Sequence, residues 1–417
     1  MITIPMIIVW AGYLFFLYFI IFWLLVFLDR GVDDPAKKIR KYLAVTIAIP
    51  AYNEEKGIAE TIQSAINLDY PKDKLEIIII NDGSKDRTKQ VVKEFINSHH
   101  DCNIILINQS NQGKGAALNN ALKKARGEIF IPFDADSTIR EDALQKIIPE
   151  FEEKDMGAVL PLMKVRDPKN ILEKIQWCEY LINLFYKKLM SSLDCVSVAP
   201  GPFSAYRTSI VKKVGGFDES NLTEDLEISL RLQKSNYKLK QLFSTEVYTR
   251  VPRTLKAFFR QRNRWYKGTI INAFKYRQMA LNRNYGDFGF IQMPRLLAES
   301  AVVISLYTYL AYAGLIKPLM LKFYNFSLID YNLAIPVSRY INTFSWLDIN
   351  FANVFHTIMF TTLALLLIYY AHKHTKEPLR KYGLITIPAY LICYSILASI
   401  AIISVFFDLA RGKIQKW

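Results

Sequence analysis

The chain is 417 residues long, 51% hydrophobic and 13% aromatic, with 53 Lys and Arg against 38 Asp and Glu for a formal net charge of +15. So apolar a composition excludes wholesale disorder, and long uncharged runs at both ends of the chain exclude a purely water-soluble enzyme. Cys102, Cys178, Cys195 and Cys393 form no CxxC pair, which excludes a disulfide framework or zinc module and fits a reducing compartment.

Met1 to Leu28 carries no charged residue. It lacks the basic start and small-residue cleavage site of a signal peptide, so it reads as a transmembrane helix over residues 3–28. Arg30, Lys37, Lys38, Arg40 and Lys41 follow, and the positive-inside rule places that flank in the cytoplasm. From Asp29 to about residue 290 no uncharged stretch reaches spanning length, and this is the soluble body.

Within the body, strand-like and helix-like patterns alternate. Val45–Tyr52, Glu76–Asp82, Asn103–Asn108 and Glu128–Asp136 read as strands, with Gly157–Val165 as a fifth. Helical patterns follow at Glu55–Leu68, from Asp86, and at Ala116–Ala125. Alternating units of this kind give an α/β fold with a mostly parallel sheet, whose carboxyl strand ends gather a ligand site. Asn53, Glu54, Asp82, Asp134 and Asp136 all stand at such ends.

The chemistry-bearing motifs each have a plainer alternative. Asp82-Gly83-Ser84 suits a nucleobase or ribose contact, or merely a turn. Asp134-Ala135-Asp136 offers hard oxygen ligands to a divalent cation, or a helix cap from Asp136. Lys114, flanked by Gly113 and Gly115 at a helix start, suits a diphosphate, or is a solvated lysine. Thr223-Glu224-Asp225 places a carboxylate able to act as a general base, or acidic residues that favour a helix dipole. Gln261-Arg262-Asn263-Arg264-Trp265 is the most specific, with arginine to clamp a diphosphate and tryptophan to stack a sugar. Around it, Val247 to Gly286 holds ten basic residues and no acidic one, interleaved with apolar side chains. That pattern predicts an amphipathic segment lying on anionic headgroups.

Spans resume at 296–316, 351–371 and 384–407. The segment 318–345, broken by Lys322, Asp330, Pro336 and Arg339, reads as surface-lying or re-entrant. Four spans put the basic loop 372–383 in the cytoplasm and leave the basic tail outside.

Taken in order, Ile49–Glu55 with Asp82–Ser84, Asp134–Asp136, Thr223–Asp225 and Gln261–Trp265 resemble the family 2 glycosyltransferases. The likeness is to their processive membrane branch, which includes cellulose, chitin, hyaluronan and poly-N-acetylglucosamine synthases. It covers about residues 45–270. The resemblance implies a GT-A-type nucleotide-sugar domain, a UDP-sugar donor, a glycan acceptor and Mg or Mn as cofactor. It implies Tyr52 and Glu54 near the nucleobase, Asp82 on the uridine, and Asp134 with Asp136 on the nucleotide and its metal. Asp225 would be the catalytic base. Gln261, Arg264 and Lys114 would hold the diphosphate, with Glu224 and Trp265 on the acceptor side. Pro200-Gly201-Pro202-Phe203 stands where these synthases carry an acceptor loop, which assigns Phe203 there. Its wording is closer to chitin- and hyaluronan-type enzymes, which implies an N-acetylglucosamine donor, although its two prolines depart from the pattern.

The expected organisation is a transmembrane helix at 1–28, a cytoplasmic GT-A domain at 29–250, basic interfacial helices at 251–290 and a membrane region at 291–417. The expected setting is a multi-pass cell-membrane protein, with membrane lipids as partners and no nucleic acid. Two other readings stay open. One is transfer of a single sugar to a polyprenyl phosphate. The other is a membrane receptor or transport component with a degenerate nucleotide domain.

Overall fold

The computed structural model describes residues 4–30, 37–100, 102–298, 312, 316–327, 351–377 and 379–412. The chain divides into two compact units, Met1–Leu24 with Glu299–Tyr370, and Leu25–Ala298 with Ala371–Trp417. The second contains an eight-stranded sheet. Its strands are β1 (Val45–Ala51), β2 (Leu75–Asp82), β3 (Ile104–Gln109), β4 (Ile129–Pro132), β5 (Thr138–Ile139), β6 (Met156–Val165), β7 (Ala205–Arg207) and β8 (Lys238–Thr249).

The spatial order is β3-β2-β1-β4-β7-β6-β8-β5. The first four of the five strands read from sequence form the parallel half, with Ile47 opposite Ile77 on one side and Ile131 on the other, and the fifth falls in β6. The second half is mixed: β7 runs antiparallel to both β4 and β6, while β8 is parallel to β6. Both faces of β1, β2 and β4 are covered, which is why they read as unbroken apolar runs, while the edge strand β3 is half-buried. On one face Ile47, Ile49, Ile77, Ile79, Ile129 and Ile131 share a core with buried residues of two helices. Full burial of each isoleucine contributes about 1.5–3 kcal/mol, so this centre fixes where the strand ends emerge.

The helices up to the middle of the chain are α1 (Ile4–Arg30), α2 (Ile58–Ile66), α3 (Thr88–Ser98), α4 (Lys114–Lys124), α5 (Ala143–Ile147), α6 (Ile171–Ser191) and α7 (Thr208–Lys213). Ile58 and Ile62 of α2 and Leu144 and Ile147 of α5 fill the core just described, whereas α4 lies against β1 and β2 through Ala117, Leu118 and Ala121. Then come α8 (Glu224–Lys234), α9 (Leu255–Lys275), α10 (Lys317–Ser327), α11 (Phe351–Thr375), α12 (Leu379–Ala389) and α13 (Ser395–Ala410).

Among the described residues, Trp10–Asp29 and Ile385–Ala410 are long and apolar enough to cross a membrane. The second runs from α12 through one π-helical turn, Tyr390–Tyr394, into α13. The expected span 351–371 falls in α11. The expected span 296–316 and most of 318–345 lie outside the described residues, with Lys317–Ser327 forming α10.

Candidate active site

The loops after β1 and β2 are stitched together by short polar side chains. Asn53 adopts a left-handed backbone with φ 56°, a conformation that asparagine tolerates. Its N–H donates to Ser84 Oγ at 3.0 Å, and its Oδ1 accepts from the Lys85 N–H at 2.8 Å. The Glu54 N–H donates to Thr88 Oγ1 at 2.8 Å. Tyr52 beside them is exposed, so its ring is open to a ligand. Asp82 is buried and accepts three hydrogen bonds at 2.9 Å, from Gln109 Nε2 and from the Gln112 and Gly113 N–H groups. It therefore shapes the turn into α4, where Gly113 takes φ 90°.

That turn delivers Lys114, the first residue of α4, to the centre of the site. Its Nζ lies 2.5 Å from Asp134 Oδ1 and 3.3 Å from Glu224 Oε1. The lysine is not a solvated one. A Cβ on Gly201 would collide with Lys114 Nζ and come within 3.2 Å of both Asp134 carboxylate oxygens. The Pro200–Phe203 loop thus passes directly over this ion pair, and glycine is what allows it.

Thr223, Glu224 and Asp225 stand where the chain enters α8. Glu224 is buried against Lys114, while Asp225 is partly open and its Oδ1 accepts from the Leu226 N–H at 2.8 Å. Helix α9, capped by Thr254 Oγ1 accepting from the Ala257 N–H, brings in the last motif. Arg264 Nη1 donates to the Leu222 carbonyl at 3.2 Å, just before the acidic turn. The middle arginine, Arg262, is fully buried. It pairs with Glu179 of α6, bonds Gln261 Oε1 at 2.8 Å, and sits 4.3 Å from the Trp265 ring centroid. All four motifs are therefore brought to one place.

The charges there are unevenly compensated. Burial, with Asp134 beside it, raises the Asp136 carboxyl to about 6. Burial, with Asp136 next in effect, raises Glu54 to about 7. Lys114 is held above its ordinary range, since Asp134, Glu224 and Asp225 outweigh the cost of burying it. No three His, Cys, Asp or Glu among the described residues converge on one cation position. Asp134 and Asp136 make only a pair, and the negative charge left on the Asp136–Glu54 side fits a divalent cation whose remaining ligands come from a bound diphosphate.

Three expectations are corrected. Phe203, expected at the acceptor, is wholly buried, with its ring 5.0 Å from that of Phe133 in the sheet core. It anchors the loop from below, and Gly201 is the member that faces the site. Arg262 and Lys267, counted among charges lying on headgroups, are both buried and paired, with Glu179 and Asp408 respectively. The first helix after β1 begins at Ile58, three residues later than its pattern suggested.

Sequence reasoning also missed two residues. Glu179 carries no local signal, and only tertiary structure sets it against Arg262. Lys187 of α6 lies within the electrostatic reach of Asp225; burial lowers its ammonium to about 8, with Asp225 opposing.

Residues 46–215 match the family model described as glycosyl transferase family 2. The chain is 30% identical over 260 residues to the probable glycosyltransferase YdaM of Bacillus subtilis, covering 60% of each protein. It is 33% identical over 226 residues to a poly-beta-1,6-N-acetyl-D-glucosamine synthase of Staphylococcus epidermidis, covering 54% of each. The chain thus spans little more than half the length of these curated relatives. In fold it resembles the mannosyltransferase PcManGT from Pyrobaculum calidifontis, solved with GDP-Man and Mn2+. That match has a TM-score of 0.61 at 19% identity and covers 97% of this chain and 96% of that one.

Proposed function

We propose, from the match of residues 46–215 to the glycosyl transferase family 2 model, that the chain is a membrane-embedded inverting transferase. It moves a sugar from a UDP-sugar, UDP-N-acetylglucosamine foremost, to the end of a growing polysaccharide, and its membrane helices help carry the polymer across. The observation that carries this reading is Lys114. One ammonium joins Asp134 of the nucleotide motif to Glu224, the neighbour of Asp225.

In this reading Tyr52, Glu54 and Asp82 frame the uridine, Asp82 chiefly by ordering the turn beneath it. Asp134 and Asp136 would hold Mg or Mn, which when bound would supply neutralising charge at the diphosphate. Lys114 and Arg264 add fixed positive charge at the same place, with Gln261 at its edge. The acceptor hydroxyl attacks the anomeric carbon as the bond to the diphosphate oxygen breaks, and Asp225 takes the hydroxyl proton. Glu224 stays paired with Lys114, and Trp265, flattened on Arg262, offers the acceptor sugar a rigid plate. The poly-N-acetylglucosamine synthase likeness supports both the polymer product and the donor.

Purified full-length protein in lipid nanodiscs with Mn2+ tests the reading. UDP-N-acetylglucosamine, UDP-glucose, UDP-glucuronate and GDP-mannose, the nucleotide sugar that PcManGT holds, are supplied in turn, and products are sized. A high-molecular-weight product from a UDP-sugar is expected. A single sugar on lipid would replace the polymer reading with transfer to a polyprenyl phosphate, and no turnover with any donor would overturn both. Asp225→Asn should retain UDP binding within about twofold while turnover falls by at least about a hundredfold; normal turnover would remove Asp225 from the base role.

A further inference from the structure

Helix α9 is fastened on two sides, and only one of them meets the site. Toward the acidic turn, Gly268 lies against Thr223, where an added Cβ would stand 3.0 Å from the threonine Cβ and closer still to its Oγ1 and Cγ2. Asn272 Nδ2 donates to Asn221 Oδ1 at 3.0 Å and to Thr223 Oγ1 at 3.1 Å, and Asn221 Nδ2 donates back to Asn272 Oδ1 at 2.8 Å. Any rotation of α9 is therefore transmitted to Thr223, and from there to Glu224 and Asp225.

The other side meets α13. Lys267 Nζ lies 2.9 Å from Asp408 Oδ2. Asn263 Nδ2 donates to Asp408 Oδ2 at 3.1 Å and to Ser404 Oγ at 3.0 Å. Asn263 and Lys267 are one turn apart on α9, as Ser404 and Asp408 are on α13, so two matched pairs fix both rotation and axial register. Asp408 is the sole charged residue from Tyr382 to Ala410. A lone carboxylate in so apolar a helix is costly unless paired and marks a functional position.

We propose that Asp408 is a positioning residue for sugar transfer: through Lys267 and Asn263 it sets the rotation of α9, and thereby the placement of Arg264 and Asp225. Transfer is then tied to the seating of the apolar helix α13 on α9. A side chain lies about 5–6 Å from the axis of its helix, so a rotation of about 10° moves it by about 1 Å. A misplacement of that size can cost about a hundredfold in rate. The inference rests on the transferase reading, and its test has an arm that does not.

In full-length protein in nanodiscs, Asp408→Ala should speed hydrogen exchange at 221–226 while leaving β1 and β2 peptides unchanged, and Asp408→Glu should recover most of the protection. With the active donor, Asp408→Ala should lower kcat about 10- to 100-fold per folded molecule and change the donor KM less than about threefold. A residue that merely aids folding would lower the folded fraction with kcat per folded molecule intact. Should the alanine variant fail to fold, Asp408→Asn, which keeps the side-chain volume, is read the same way. Unchanged exchange at 221–226, or unchanged kcat per folded molecule, overturns the proposal. If no donor turns over in the unaltered chain, the transferase reading fails and the exchange arm alone decides.

Discussion

Lys114 pairs with Asp134 and Glu224, and the opposing charge that Lys114 lends to Asp136 and Arg250 lends to Glu54 is too small to offset the burial of those two carboxylates and the repulsion they meet from neighbouring carboxylates. Both carboxyls are raised in the folded chain, so protonation favours folding. The stability they contribute is full below their unfolded values, near about 4, and is lost as pH rises through about 6 for Asp136 and about 7 for Glu54. Carboxyls held low by partners, such as Asp218 at about 2, have finished titrating below that window. The metal-free chain should therefore melt at a lower temperature at pH 7.5 than at pH 5, and Mn2+ at pH 7.5 should restore the difference. Asp136→Asn should flatten the slope and remove the metal effect; a melting temperature indifferent to both pH and Mn2+ would refute this account of the acidic pair. At this scale the sequence was legible where chemistry sits on a strand end or helix start. Asp82, Asp134 and Asp225 are all found at such places. It was not legible for Glu179 and Arg262, because nothing local says that an arginine in a basic run is the buried one.

Elements add a constraint that no single residue carries. Helix α9 approaches the acidic turn so closely that residue 268 must lack a Cβ, since Thr223 already fills the space. Gly268→Ala should push the helix away, destabilise the protein by about 1–3 kcal/mol as overpacking does, and depress turnover more than donor binding. Adding Thr223→Ala removes the two nearest obstructing atoms and should recover part of both losses. Thermal melts and steady-state kinetics on the two variants check this, and additive losses in the double variant would rule out the contact as the cause. The parallel strands were readable because β1, β2 and β4 are buried on both faces and read as continuous apolar runs, and the half-buried edge strand β3 keeps the apolar run Ile104–Ile107. Strand β8 was not: it is only half-buried, and Lys238, Lys240, Gln241 and Glu246 interrupt its apolar residues. Strand β7, three residues long, and β5, two residues long, carry too little pattern to recognise.

For the molecule as a whole the question is where the apolar surface goes. Along Ile385–Ala410, Ile392, Ile396, Ile400, Phe406 and Phe407 are exposed, an apolar surface that water does not tolerate and a bilayer does. On the far side of the same helix, Ala398, Ala401 and Val405 are buried, and Asp408 meets α9, so one face packs on the protein and, in the proposed membrane reading, the other faces lipid. The cysteines report on this division. Cys393 is exposed at mid-helix, Cys102 is half-buried beside β3, and Cys178 and Cys195 are buried. If the proposed topology holds, a polar maleimide given to sealed membranes from the side that bears the soluble body should label Cys102 and spare Cys393, because lipid would cover what the protein leaves bare. After denaturation in SDS, Cys393 should label fully. Equal labelling of the two before SDS would mean that the helix lies in water, and the multi-pass membrane reading would fall. Protection of Cys393 would place Asp408, four turns further along, toward one bilayer boundary, where a charged side chain is tolerated and where the basic α9 can reach it.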